Sequence, residues 1–185
     1  MRIATYWWGG RRHVGRLSDD GARITALACG DRAREVGALA LIESLADGRP
    51  LPRTTGTSLP LSAVMLDAPI PVPRRNIFCS GVNYRAHAAE WEASGIDRRP
   101  GTAAPAPAAA DPAYPVIFSK VADCVVGPGV PIRMPAGVSE AIDYEAELAV
   151  LIGRPGRNIP ASRAMEHVFG YTIVNDMNSV DPRMY

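Results

Sequence analysis

Ten residues, Ala141 to Val150, read "AIDYEAELAV" and alternate carboxylates with apolar side chains before running on into "LIG". Alternation with period two marks a strand, because successive side chains point to opposite faces. One face then carries Ile142, Tyr144, Ala146, Leu148 and Val150; the other carries Asp143, Glu145, Glu147, Ala149 and Leu151. The second face begins acidic and ends apolar, which departs from the uniform polarity of a wet surface. Residues two apart on a strand have Cα atoms roughly 6.5–7 Å apart, so Glu145 and Glu147 can reach one ion between them. A solvated strand face is the competing reading of the same residues.

With 185 residues, the chain is long enough for one good core, or for a small domain beside a larger one. A hydrophobic share of 47% and a charged share of 21% suit a globular protein. The net charge of +1 gives no electrostatic case for a nucleic-acid partner or an anionic membrane. Lys120 is the only lysine, so nearly all positive charge is arginine. Cys29, Cys79 and Cys124 are odd in number and lack C-x-x-C spacing, which predicts free, buried thiols in a reducing compartment. No apolar run approaches a membrane span and the N-terminus has no apolar leader, so a cytoplasmic protein is expected.

Residues 1–68 read as a small β/α module. "RIATYWW", "HVGRLSD" and "ARITALA" are short strands separated by Gly-Gly and Asp-Asp-Gly turns. "DRAREVGALALIESLADG" has helical spacing, with Val36, Leu39, Leu41, Ile42 and Leu45 as its apolar stripe. "RPLPRTTGTSLPLS" reads as a linker, and Trp7-Trp8 as a packing pair. In residues 69–185, "NIFCSG" reads as a buried strand and "NYRAHAAEWEASG" as a helix capped by Asn83 and stopped by Gly95. Residues 95–115, rich in Pro and Ala, form a lid or insertion. "VIFSKVADCVV" resumes strand character, "ASRAMEHVF" is a short helix, and "GYTIVND" is another strand. The fold class is mostly β with short helices (α+β).

Three pieces can carry chemistry. Glu145 and Glu147 are the first; Asp176, where a strand gives way to a polar loop, is the second. Two glutamates and an aspartate make a hard oxygen donor set that suits Mg²⁺, Mn²⁺ or Ca²⁺ and not zinc, for which Cys/His ligand spacing is lacking. Taken alone, Asp176 also reads as a turn or cap residue. His87 and Glu90 are the third piece: three apart on a helix, the carboxylate can orient the imidazole, and the pair can activate a water. An exposed ion pair on a surface helix fits the same two residues.

"IFCSGVNYRAHAAEW", "PVIFSKVADCVVGPGVPI" and "IDYEAELAVLIGRPGRNIPASRAMEHVFGYTIVND" together resemble the fumarylacetoacetate hydrolase family, from about residue 68 to 176. The D-Y-E-x-E-L-A-V-x-I-G run followed by G-Y-T-x-x-N-D is the specific part. The resemblance implies a mixed β-roll, usually dimeric, with Mg²⁺ or Mn²⁺ held by Glu145, Glu147 and Asp176. His87 and Glu90 become the water-activating dyad. The implied substrates are β-diketo or 2-oxo acids, and the implied reaction is hydrolytic cleavage of a carbon–carbon bond. Isomerisation or decarboxylation of a 2-oxo acid is the alternative, as is an inactive remnant.

Two departures from the family pattern stand out. Family members follow the aspartate with Ser/Thr-Ala-Arg-Asp-x-Gln, whereas "NDMNSVDPRMY" puts Val180 at the arginine and Arg183 at the glutamine position. Tyr84, Lys120 and Arg183 are the expected substrate contacts. The family pattern also runs on past the position of Tyr185 and there supplies an oxyanion-stabilising lysine, so the chain reads as C-terminally truncated.

Overall fold

In the computed structural model the described residues are 1–81, 84, 115–134 and 136–179. They are mostly β with a few short helices, as expected, and the backbone divides into two compact units. The first comprises Met1–Arg74, Ala122–Ile132 and Glu145–Asp176; the second comprises the rest.

The first unit is built on a five-stranded antiparallel sheet in the order β4 (Thr54–Pro60), β3 (Arg23–Leu27), β2 (Arg11–Leu17), β1 (Ile3–Trp8), β5 (Met65–Leu66). Strand β1 (Ile3–Trp8) turns at Gly9 and Gly10, which have φ of 57° and 72°, and returns as β2 (Arg11–Leu17). Trp8 pairs with Arg11, so the turn is a two-residue connection of the kind that needs positive φ at both positions. Asp20 shapes the next turn, where the Ser18 hydroxyl, joined by the Ala22 N–H, holds its carboxyl below the usual range. Strand β3 (Arg23–Leu27) follows. It pairs with β4 (Thr54–Pro60), which lies inside the stretch the sequence marks as a linker. Threonines tolerate an edge strand, and pairing with β3 supplies what local pattern lacks. The two-residue β5 (Met65–Leu66) closes the other edge against β1.

The expected single helix is two. Helix α1 (Arg32–Val36) and helix α2 (Leu39–Ala46) break at Gly37, whose φ and ψ are 62° and −139°. A Cβ there would stand 2.6 Å from Pro71 Cδ, 2.7 Å from Thr5 Oγ1 and 2.9 Å from the Pro69 carbonyl oxygen. Close approach of the 69–71 segment therefore decides the break. Thr5, fully buried, donates to the Pro69 carbonyl at 2.6 Å and accepts from the Ala38 N–H at 3.0 Å. The stripe survives the break: Val36, Leu39, Leu41 and Ile42 are buried with Val14 and Leu27, and Phe169 packs against that core. Gly37→Ala should cost about 1–3 kcal/mol for the forced backbone conformation alone, with steric crowding added. Gly48 also has positive φ but no atom near a Cβ, so Gly48→Ala is the control. Equal thermal midpoints for the two variants would contradict the packing argument.

Trp7 has a structural role, as its sequence context suggests. Its Nε1–H and the Nε–H of Arg12 both donate to Asp67 Oδ2 at 2.9 Å. The Arg12 guanidinium lies 4.9 Å from the Trp7 ring centroid and donates to the Arg34 and Glu35 carbonyls at the end of α1. One half-buried ion pair thus ties β1, β2, α1 and the Asp67 turn together.

Still in the first unit, β9 (Ala146–Ile152) and β10 (Val168–Asn175) form an antiparallel ribbon joined through a 3-10 helix, Ala161–His167. In the second unit β6 (Ile77–Gly81) pairs with β7 (Val116–Lys120), and β8 (Ile142–Asp143) with β11 (Asn178–Ser179). The single strand expected from "AIDYEAELAV" is therefore β8 and β9, interrupted at Tyr144 and Glu145. Ser139, buried, anchors the shorter pair by bonding the Ser179 hydroxyl at 2.8 Å.

Two burial expectations fail. "NIFCSG" does form a strand, but Phe78 is 74% exposed, and Val116, Ile117 and Phe118 on the paired strand β7 are exposed as well. Cys124 is exposed, while Cys29 and Cys79 are half-buried; no disulfide joins any of the three. Burial holds the Cys29 thiol above its ordinary range, which disfavours the reactive thiolate. Among the described residues no helix is long and apolar enough to cross a membrane. The helix expected over 83–95 and nearly all of the 95–115 segment lie outside the described residues.

Candidate metal centre

The β9–β10 register sets Val174 opposite Glu147 and Asn175 opposite Ala146. The next pair in that frame is Asp176 with Glu145, and the Asp176 N–H donates to the Glu145 carbonyl at 2.8 Å. Directly opposed residues of an antiparallel pair share a face, with Cβ atoms about 4.5–5.5 Å apart. Glu147, two residues on, shares it too. The ribbon thus brings Glu145, Glu147 and Asp176 to one face at one end.

That face is the more enclosed one. Glu145, Glu147, Ala149, Leu151, Thr172 and Asp176 are half-buried, with Val174, opposite Glu147, the exception at 41% exposed, whereas Ala146, Leu148, Val150, Ile152, Tyr171 and Ile173 on the other face are exposed. Leu148 and Ile173, paired across the ribbon, are 57% and 80% exposed. An ordinary surface ribbon has the reverse polarity. The strand signal and the two-faced division hold; the simple solvated face does not.

Asn175 contributes what sequence reading missed. Its Oδ1 accepts the Glu145 N–H at 3.1 Å, at the point where the ladder lapses between β8 and β9. Its place directly before Asp176 in "VND" is the available sequence signal.

The donor set, three carboxylates on one half-buried face, has the chemistry a hard divalent cation requires. Convergence stands at the level of backbone register: among the described residues no three His, Cys, Asp or Glu side chains are grouped to hold an ion. Two open hollows of about 240 and 320 Å³ lie at the opposite end of the ribbon, around His167. Neither is lined by any of the three carboxylates. There His167 Nδ1–H donates to the Arg154 carbonyl at 2.9 Å.

Of the other expected site residues, Tyr84 is exposed. Lys120 is half-buried at the end of β7, and its ammonium donates to the Met177 carbonyl and the Asn178 side chain. His87, Glu90 and Arg183 lie outside the described residues.

The chain is similar to several known proteins. Oxaloacetate tautomerase YisK from Bacillus subtilis (strain 168) is 42% identical over 121 residues, 65% of this chain and 36% of that protein. A 5-carboxymethyl-2-hydroxymuconate delta-isomerase from Mycobacterium smegmatis matches with a TM-score of 0.65 and 29% identity, over 97% of this chain and 56% of that one. A maleylpyruvate hydrolase from Sphingobium sp. SYK-6, solved in complex with manganese (II) ion and pyruvate, has the same fold, with a TM-score of 0.64 at 24% identity. It is matched over 97% of this chain and 59% of its own. The chain therefore spans only part of the length of the proteins it resembles. The family model described as fumarylacetoacetate (FAA) hydrolase C-terminal matches residues 76–184, more than half of the chain. With all three carboxylates inside that match, the chain belongs to the fumarylacetoacetate hydrolase family.

Proposed function

We propose that this chain carries the metal-holding part of an enzyme that enolises a small 2-oxo acid, with Glu145, Glu147 and Asp176 as the ligands of Mg²⁺ or Mn²⁺. One observation carries the reading: the carboxylates occupy the enclosed face of the β9–β10 ribbon, while apolar side chains occupy the open one. Three hard oxygen donors gathered on one enclosed face are what a hard divalent cation requires.

A bound divalent cation would act as a Lewis acid toward the adjacent oxygens of a 2-oxo acid. The chain's own residues supply the rest. Glu145, Glu147 and Asp176 provide fixed negative charge, which selects a hard cation and leaves other coordination positions to substrate or water. His87, with Glu90 three residues on in the sequence to orient it, is the base suited to take the proton from the carbon next to the carbonyl. Delivering a proton to the enolate oxygen completes conversion of keto to enol, and the same steps reversed, from O–H to carbon, convert enol to keto; the Bacillus relative is named an oxaloacetate tautomerase. Hydrolysis of the carbon–carbon bond is the second reading, favoured by the His87/Glu90 pattern, which equally suits activation of a water.

The two readings separate by product. With enol oxaloacetate, tautomerisation predicts a loss of enol absorbance that a chelator slows and that releases no new acid. With an acylpyruvate, hydrolysis predicts release of pyruvate. Underlying both, oxalate, a chelating mimic of the enolate, should bind this chain more tightly with Mn²⁺ present, and Mn²⁺ more tightly with oxalate by the same factor. Oxalate binding that ignores Mn²⁺ would rule out the metal reading.

A further inference from the structure

Lys120 ends β7, and its half-buried ammonium donates to two neighbouring acceptors: the Met177 carbonyl at 2.7 Å and the Asn178 Oδ1 at 2.8 Å. These residues directly follow Asp176. Asn178 also pairs with Asp143 in the β8–β11 ladder, and Asp143 lies two residues before Glu145. One ammonium thus holds the segment through which the chain leaves the third carboxylate, and that segment is paired with the one that leads into the first.

The choice of residue is informative. The chain has 20 basic residues, and every one except Lys120 is arginine. A guanidinium is a broad planar fork, whereas an ammonium is a compact donor that can serve a main-chain carbonyl and an adjacent side-chain oxygen from one point. Ordering a long lysine side chain costs rotamer entropy, which a merely solvated lysine would not give up. At least two of its N–H donors are engaged by the protein itself, which supports a role for Lys120 on the chain.

We propose that Lys120 is a positioning residue for Asp176: by fixing Met177 and Asn178 it sets where the third carboxylate stands. The inference rests on the metal reading above.

The test compares the parent chain with Lys120→Met, Lys120→Gln and Lys120→Arg. Mn²⁺ affinity is read by titration calorimetry, folding by thermal unfolding, and local order by hydrogen exchange. Lys120→Met should weaken Mn²⁺ binding by about 10–100-fold, the range for partners one step out from a metal. Exchange should quicken at residues 142–143 and 176–179 at a temperature where the protein stays folded, and Lys120→Arg should recover part of both effects. Parent-like Mn²⁺ binding in Lys120→Met and Lys120→Gln would overturn the assignment. So would an affinity loss that merely follows general unfolding, with exchange raised throughout. A parent chain that takes up no Mn²⁺ would instead remove the metal reading, and this inference with it. Unchanged exchange at residues 176–179 counts against Lys120 whatever the metal result.

Discussion

Removing any one of the three carboxylates should lower Mn²⁺ affinity by more than about 10²-fold, beyond the range for partners that only orient a ligand. Glu145→Ala, Glu147→Ala and Asp176→Ala each delete a charge from a face where Glu145 and Asp176 stand opposite one another and Glu147 follows. Hard cations draw their binding energy from the full set of oxygens, so the losses should be similar in size. Glu147→Gln keeps the shape and removes the charge, and should fall between parent and alanine variant. Glu166→Ala is the control: Glu166 is exposed and paired with Arg163 at 3.0 Å within the 3-10 helix, apart from the set. Calorimetry on these variants decides the matter. Parent-like binding in all three alanine variants would mean the site is wrongly placed.

In the complete enzyme, with His87 as the base proposed above, His87→Ala should lower kcat by roughly 10²–10⁴-fold, the usual contribution of a positioned general base, and leave Mn²⁺ affinity near that of the parent. The separation of the two readouts is the point of the experiment. A base acts on the reacting proton and not on the cation, so its loss appears in kcat alone. Glu90→Gln should give a smaller drop, because the imidazole remains and only its orientation weakens. A parallel loss of metal binding and rate in His87→Ala would identify His87 as a ligand or a structural residue instead.

Where local chemistry alone was sufficient, the chain could be read directly. Gly9-Gly10 makes a two-residue turn wherever two strands flank it, and period-two alternation in "EAELAVLI" yields β9 with the carboxylates on one face. The apolar stripe from Val36 to Leu45 marks a core-facing surface whether or not the helix is continuous. The fold class and the family motif belong to the same category, because both are written in short runs of consecutive residues.

Other features depend on partners distant in sequence, and these only the tertiary structure decided. The break at Gly37 comes from Pro69, Pro71 and Thr5, more than thirty residues away in each direction. Strand β4 exists because β3 offers it a ladder, though "TTGTSLP" looks like a linker. Alternation predicts two faces but not which one is enclosed; that is set by what packs on the ribbon, and here the acidic face is the inner one. Asp176 shares a face with Glu145 because of a pairing register, a quantity no local pattern contains. The sequence by itself determined which residues could bind a cation, since donor chemistry is a property of each side chain. Their placement on one face had to come from the fold, because it arises from hydrogen bonds between strands whose ends are some thirty residues apart along the chain.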